Sequence, residues 1–183
     1  FDIVYVYANH GYLLHNFLNP YFNHRQDTYG GVAENRVRLL REVIEDVKEI
    51  VEGRAALAVR YSIPPDFTDD PQGLIECFGH IAELPDLWDI TVNDYYLEMG
   101  SSRFVKEAAC QAAVARLKGL TSKPVVSVGR FTSPDTMLSQ ITAGTQDLIG
   151  AARPSIADPF LPRKIDEGRL EDIRECIGCN VCY

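Results

Sequence analysis

A parallel α/β fold is what this sequence predicts, and three observations carry the prediction. Short apolar runs rich in valine and isoleucine recur at 1–7, 55–62, 87–94, 124–131 and 146–153, each near-continuously hydrophobic, as strands covered on both faces are. Helical patterns with clear punctuation fill the intervals between them. Strand, helix, strand, repeated to a fifth strand, reads as successive βα units.

The elements can be justified in order. The chain opens directly on the strand run "FDIVYVY". In "ENRVRLLREVIEDVKEIVEG" the apolar positions Val37, Leu40, Ile44, Val47 and Val51 follow a helical spacing, and Gly53 stands where a C-terminal cap belongs. After the strand "AALAVRYS", Asp70 followed by Pro71 predicts an N-cap and first-turn proline for the helix in "QGLIECFGHIAEL", which Pro85 stops. The strand "LWDITVND" precedes a helix expected over 103–118, with Phe104, Ala108, Val114 and Leu117 inward and Gly119 as its stop. "PVVSVGRF" is the fourth strand; Ser133 and Pro134 open the next helix and Gly144 closes it before the strand "QDLIGAAR".

Two architectures accommodate this order, a doubly wound open sheet and a piece of a (β/α)8 barrel. No G-x-G-x-x-G follows the first strand, which weakens the dinucleotide-binding form of the first. Polar and aromatic residues gather just past the strand ends, at 7–12, 60–62, 129–130 and 152–155, which suits the active face of a barrel.

The 183 residues are 46% hydrophobic and 24% charged, enough apolar material for a core. A formal charge of -8 leaves no basic stripe for a phosphate backbone, so nucleic acid and anionic membrane are not expected partners. No apolar run approaches the roughly 20 residues that span a bilayer, and no signal-peptide pattern opens the chain; the expectation is a cytoplasmic protein. Both ends look cut, the first inside a strand and the last just past a cysteine of a ligand motif. An internal piece of a longer enzyme is expected.

Three groups of residues can carry chemistry. Cys176, Cys179 and Cys182 form C-x2-C-x2-C. Three thiols so close cannot all pair with one another as disulfides, and the spacing lets successive thiolates face one soft metal centre with a fourth ligand elsewhere. An iron–sulfur cluster, structural zinc and incidental clustering are the readings in that order. Cys77 and Cys110 fall within helical patterns and read as inert thiols. Tyr7, Asn9, His10 and Tyr12 follow the first strand, where two phenols and an imidazole serve either proton transfer or hydrogen-bonded packing; His15 and His24 read as surface residues. Gly129 and Arg130, with Ala152 and Arg153, end the last two strands and suit a bound phosphate; alternatively the glycine relieves crowding and the arginines pair with carboxylates. Arg60, at the end of "AALAVR", either faces an anionic cofactor ring or satisfies a core acid.

The stretches "FLNPYFNHRQDTYGGVAENRVRLL", "PVVSVGRFTSPDTM", "GAARPSIADPFLP" and "DIRECIGCNVC" resemble, nearly from end to end, the middle of the trimethylamine dehydrogenase group of the old yellow enzyme superfamily. That resemblance implies an FMN-binding (β/α)8 barrel of which 1–165 would supply strands four to eight, with 166–183 beginning a 4Fe-4S segment. It further implies ADP, FAD or NAD binding in a later domain, a homodimer, a small methylated amine as substrate and an electron-transferring flavoprotein as acceptor. By position Tyr7 and His10, with Tyr12 on the same loop, match the catalytic group. Arg60 matches the arginine at the flavin pyrimidine edge, and Gly129, Arg130, Ala152 and Arg153 match the phosphate loops. Cys176, Cys179 and Cys182 match the first three cluster ligands.

Branches within the superfamily differ in detail. Tyrosine and histidine at positions 7 and 10, and the shorter cysteine spacing, look like the amine dehydrogenases rather than the enoate or dienoyl-CoA reductases. Those reductases are the alternative enzyme reading, and a zinc-stapled binding module is the non-enzyme one. The loop "VNDYYLEMGSSRF" is shorter than the family pattern and lacks its substrate-facing tryptophan and acid. Asp94 and Glu98 are the candidate replacements for the acid, Tyr95 and Tyr96 are candidate wall residues beside Tyr12, and Trp88 lies too early in its strand for the tryptophan's role. Val32 replaces the usual serine, removing a helix N-cap.

Overall fold

The computed structural model describes residues 1–63, 73–92 and 103–182. Among these, β1 (Ile3–Ala8), β2 (Ala56–Ile63), β3 (Leu87–Val92), β4 (Val125–Val128) and β5 (Leu148–Gly150) form one sheet in chain order. Every neighbouring pair is parallel. A doubly wound sheet reverses its strand order at a switch point, whereas strands that follow one another in sequence form the arc of a barrel. The observed order therefore decides between the two architectures in favour of the barrel.

Register assigns the two faces. Val6, Val59, Trp88 and Val125 are successive partners across the sheet, as are Ala8, Tyr61, Ile90 and Ser127. All eight are buried beneath the helices. Leu40 and Ile44 of α3 (Arg38–Val51), Leu74, Cys77, Phe78 and Ile81 of α4 (Leu74–Ile81), and Val114 and Leu117 of α5 (Gln111–Lys118) complete this core. Each large side chain buried there stabilises the fold by about 1.5–3 kcal/mol. Trp88 packs against Phe78 and Tyr61 with ring centroids 4.5 and 5.9 Å apart, and its indole N–H donates to Ala82 O at 2.8 Å. It faces the helices and has no part in a substrate wall.

The other face carries Tyr7, Arg60, Asp89, Val126 and Leu148 as successive partners. Here exposure is much higher: Tyr5 and Tyr7 retain 48% and 44% of their surface. This is the inner face of the arc.

Several expectations are corrected in detail. The first long helix is two, α2 (Ala33–Arg36) and α3, joined at Val37; as its side chain predicts, Val32 supplies no cap to α2. The helix expected over 103–118 exists only as α5. Ala108 sits at φ 60, a left-handed conformation that breaks a helix, and its N–H donates to Gly129 O at 3.0 Å. Phe104 is consequently 89% exposed and Cys110 precedes α5 instead of lying within it. Local periodicity lost here to contacts with the β4 loop: the Glu107 carboxylate accepts from Thr132 N, Thr132 Oγ1 and Ser133 N. The Asp70–Pro71 start lies outside the described residues. The Ser133 cap is present, its Oγ accepting from Thr136 N at 3.4 Å at the head of α6 (Pro134–Thr142).

His24 is exposed, but His15 is not. It lies in α1 (Leu13–Leu18) at 2% exposure, its Nδ1 accepting from Gly11 N at 3.1 Å. A second buried polar group shapes the same region. Arg36, 7% exposed, donates from Nε to Leu18 O at 2.7 Å and from Nη1 to Gly31 O at 2.6 Å, tying the end of α1 to the start of α2.

Candidate active site

At the exit of β1 the chain turns through His10 and Gly11, both left-handed at φ 52 and 72. For histidine that conformation is strained by about 1–2 kcal/mol, which surrounding contacts must hold in place. The His10 N–H donates to Ser62 Oγ on β2 at 3.4 Å. The turn folds His10 back so that its Nδ1 lies 2.9 Å from the Tyr7 hydroxyl. Tyr12 packs edge-on against Tyr7, with centroids 5.5 Å apart. The three residues singled out from sequence on this loop are thus brought together.

Burial raises the Tyr7 pKa above the ordinary phenol value, with Arg60 opposing and Tyr12 reinforcing. A phenol so shifted keeps its proton at neutral pH and is the donor, and the His10 Nδ1 is then the acceptor.

Arg60 is the register partner of Tyr7 on β2, and Asp89 is the partner of Arg60 on β3. Arg60 Nη1 donates to Asp89 Oδ2 at 3.2 Å. Burial raises the Asp89 pKa and the Arg60 charge counters it. Arg60 therefore does have an acid, yet its Nε remains buried with no protein partner among the described residues.

Gly129 and Arg130 follow β4, and Ala152 and Arg153 follow β5 at the head of α7 (Arg153–Ala157). A Cβ on Gly129 would meet Phe131 Cζ at 3.0 Å and Ala108 Cα at 3.1 Å, so close packing within the protein already requires the glycine. Among the described residues Arg130 pairs with no carboxylate: it donates to Cys176 O at 2.9 Å and Val105 O at 3.0 Å, and its Nε is buried without a partner there. Arg153 Nη1 donates to Asn180 Oδ1 at 2.6 Å. Ala152 is exposed.

Both arginines thus reach the cysteine segment. That segment has little secondary structure of its own, and two further bonds hold it: Arg103 N to Gly178 O at 2.8 Å and Arg174 N to the Asp158 carboxylate at 2.9 Å. Asp158 is 2% exposed, takes Lys164 as its ion partner at 2.6 Å and also accepts from Phe160 N. These contacts, the Arg174 N–H first and Lys164 next, lower its pKa to about 2. Cys176 is half-buried, and Cys179 and Cys182 are exposed. Among the described residues no three His, Cys, Asp or Glu side chains gather as a metal site, so the thiols share a segment without converging on a point.

The fit to the implied groups can be judged from these atoms. Two buried guanidinium N–H groups at the strand exits, Arg60 Nε and Arg130 Nε, have no partner among the described residues, and an anionic cofactor suits them. For a 4Fe-4S cluster the donor chemistry suits, but three thiols are one short of the usual four ligands.

Asp89 was missed from sequence, because the partner of Arg60 lies 29 residues away and only strand register brings it near. Ser62 and Glu107 were missed likewise, their partners lying 52 and 25–26 residues away on loops. Asp94, Tyr95, Tyr96 and Glu98 lie outside the described residues.

Five parallel strands in chain order, with the Tyr7–His10 pair, Arg60 and Arg130 gathered at their exits, define an arc of a (β/α)8 barrel with its polar groups on one rim. The chain belongs to the NADH:flavin oxidoreductase / NADH oxidase family, whose model matches residues 1–172. It is 45% identical over 192 residues to a dimethylamine dehydrogenase of Hyphomicrobium sp. (strain x), covering 100% of this chain and 26% of that protein. The solved structure of a 6-hydroxypseudooxynicotine amine oxidase from Pseudomonas geniculata N1 superposes with a TM-score of 0.92 at 53% identity, over 100% of this chain and 28% of that one. A histamine dehydrogenase from Rhizobium sp. 4-9 gives 0.91 at 48% identity, over 100% and 27%. The chain thus spans about a quarter of the length of these relatives.

Proposed function

We propose that this chain is part of an FMN-dependent dehydrogenase that oxidatively demethylates a small methylated amine. The observation that carries the reading is the Tyr7–His10 pair at 2.9 Å, on the inner face of the arc and beside the Arg60 register position. The names of three relatives, a dimethylamine dehydrogenase, an amine oxidase and a histamine dehydrogenase, support the same class.

Arg60 would hold the pyrimidine side of FMN, and Gly129, Arg130, Ala152 and Arg153 its phosphate. Bound FMN supplies the two-electron acceptor that the side chains cannot. What the chain contributes is control of the substrate proton. An alkylammonium has no nitrogen lone pair to push electrons from and must first lose a proton. Tyr7 Oη accepts that proton as it passes its own to His10 Nδ1, a relay for which the observed hydrogen bond is already in place. The Tyr12 ring offers the methylated nitrogen a cation–π contact of about 1 kcal/mol. The imine product hydrolyses to an aldehyde and the shorter amine. Cys176, Cys179 and Cys182 would hold a 4Fe-4S cluster together with a fourth ligand, with an electron-transferring flavoprotein as the outside acceptor.

The test is anaerobic addition of dimethylamine, trimethylamine and histamine to the complete holoprotein while visible flavin absorbance is followed. Dimethylamine or trimethylamine should bleach it; bleaching by histamine alone, which has no N-methyl group, would keep amine oxidation and overturn the demethylation. Tyr7→Phe and His10→Gln should each slow bleaching by about a hundredfold or more with FMN still bound. Bleaching by NADH or NADPH and by no amine would overturn the reading.

A further inference from the structure

We propose that Asp89 is a positioning residue that fixes the Arg60 guanidinium on the inner face and offsets part of its charge, thereby setting how readily a bound flavin is reduced. The inference rests on the reading above only for flavin binding beside Arg60; it does not need the substrate to be an amine.

Three observations carry it. Arg60 and Asp89 are register partners on adjacent strands, so their side chains leave the sheet on the same face as Tyr7. Asp89 is 8% exposed, and its contact with Arg60 is a single bond at 3.2 Å to one Nη, not a two-pronged clamp. The Arg60 Nε is buried with no partner among the described residues, so Asp89 orients the guanidinium without using all of its donors. A carboxylate placed there for stability alone would be expected to saturate the arginine; this one bonds a single Nη.

The electrostatic consequence has a definite sign. Two-electron reduction of a flavin takes up two electrons and one proton at neutral pH and leaves the ring system with one negative charge. A neighbouring cation favours the reduced form, and a carboxylate that offsets the cation disfavours it. Removing the Asp89 charge while keeping its shape should therefore make the flavin easier to reduce.

The experiment is an anaerobic, dye-equilibrated titration of the complete holoprotein with dithionite, comparing the parent with Asp89→Asn and Asp89→Glu. Asp89→Asn should shift the reduction equilibrium about tenfold toward the reduced form, equivalent to about 30 mV more positive for a two-electron couple. Asp89→Glu, which restores the charge, should return toward the parent. Asp89→Ser is the second neutral variant, for use where the asparagine variant does not accumulate, and the same direction is expected. An unchanged or more negative potential in the neutral variants overturns the proposal. So does a loss of thermal stability or flavin occupancy with no movement of the potential, which is what a purely structural role would give. A parent that holds flavin and shows the shift, but is bleached by no amine, leaves Asp89 as proposed and overturns the amine reading instead.

Discussion

Acidifying the protein from pH 7 to pH 5 should loosen the turn that presents His10, through a histidine that never touches substrate. His15 is buried in α1 with Nδ1 committed as acceptor to Gly11 N–H and with Nε2 buried and without a partner among the described residues. Burial first, and the nearby His10 second, lower its pKa from 6.5 to about 4. A base whose folded pKa is depressed takes up its proton more readily when exposed. Its contribution is therefore fully present above the unfolded value and is lost as pH falls toward the folded one. The whole shift corresponds to about 3 kcal/mol, of which about 2 kcal/mol should disappear between pH 7 and pH 5. Hydrogen exchange of peptides spanning 12–19 in the complete protein, corrected for the intrinsic pH dependence of exchange, reads this as an opening equilibrium about thirtyfold more favourable at pH 5. In His15→Gln the pH effect on this segment should vanish. An equal pH response in parent and variant, or none in the parent, would refute the reasoning.

Further outcomes are expected elsewhere. Arg36→Met should cost about 1–3 kcal/mol for each of the Leu18 and Gly31 carbonyls it leaves unpaired, measured as a lower denaturant midpoint with flavin spectra unchanged. Asp158, with its pKa lowered to about 2, contributes stability that is present above the ordinary carboxylate range and is lost as pH falls through its own value. Protease sensitivity at 173–182 should therefore rise in that acid window in the parent and already at neutral pH in Asp158→Asn. Cys179→Ala should lower the iron content of the complete protein while leaving its flavin in place; full iron occupancy would remove Cys179 from the ligand set.

The strands were legible because each buried run carries its own signal, and the helix after β4 was legible from the Ser133 cap and Pro134 at its start, whereas Pro154 at the head of α7 went unread. The helix over 103–118 failed for a tertiary reason. Glu107 is spent on the Thr132 and Ser133 loop, and no local pattern announces a partner 25 residues away. His15 reads as a surface residue from sequence because nothing in Leu14 or Asn16 beside it announces that Gly11 will donate to its ring. In the candidate site, Tyr7, His10 and Arg60 were legible from their place at strand ends. Asp89 was not, since its meaning comes from register, and register is a property of two strands that neither strand's sequence states alone.

The hold that Arg103, Arg130, Arg153 and Asp158 keep on 174–180 also bears on how the cysteine motif could be transplanted. A nine-residue peptide copied onto another scaffold would carry the thiols but leave behind the donors and acceptors that fix its backbone. Those receptors sit on loops after two different strands and on the tract ahead of α5, so the transferable unit is a barrel rim together with its cysteine peptide. Moving the cysteine segment to another scaffold would mean cutting along these hydrogen bonds and carrying their partners with it.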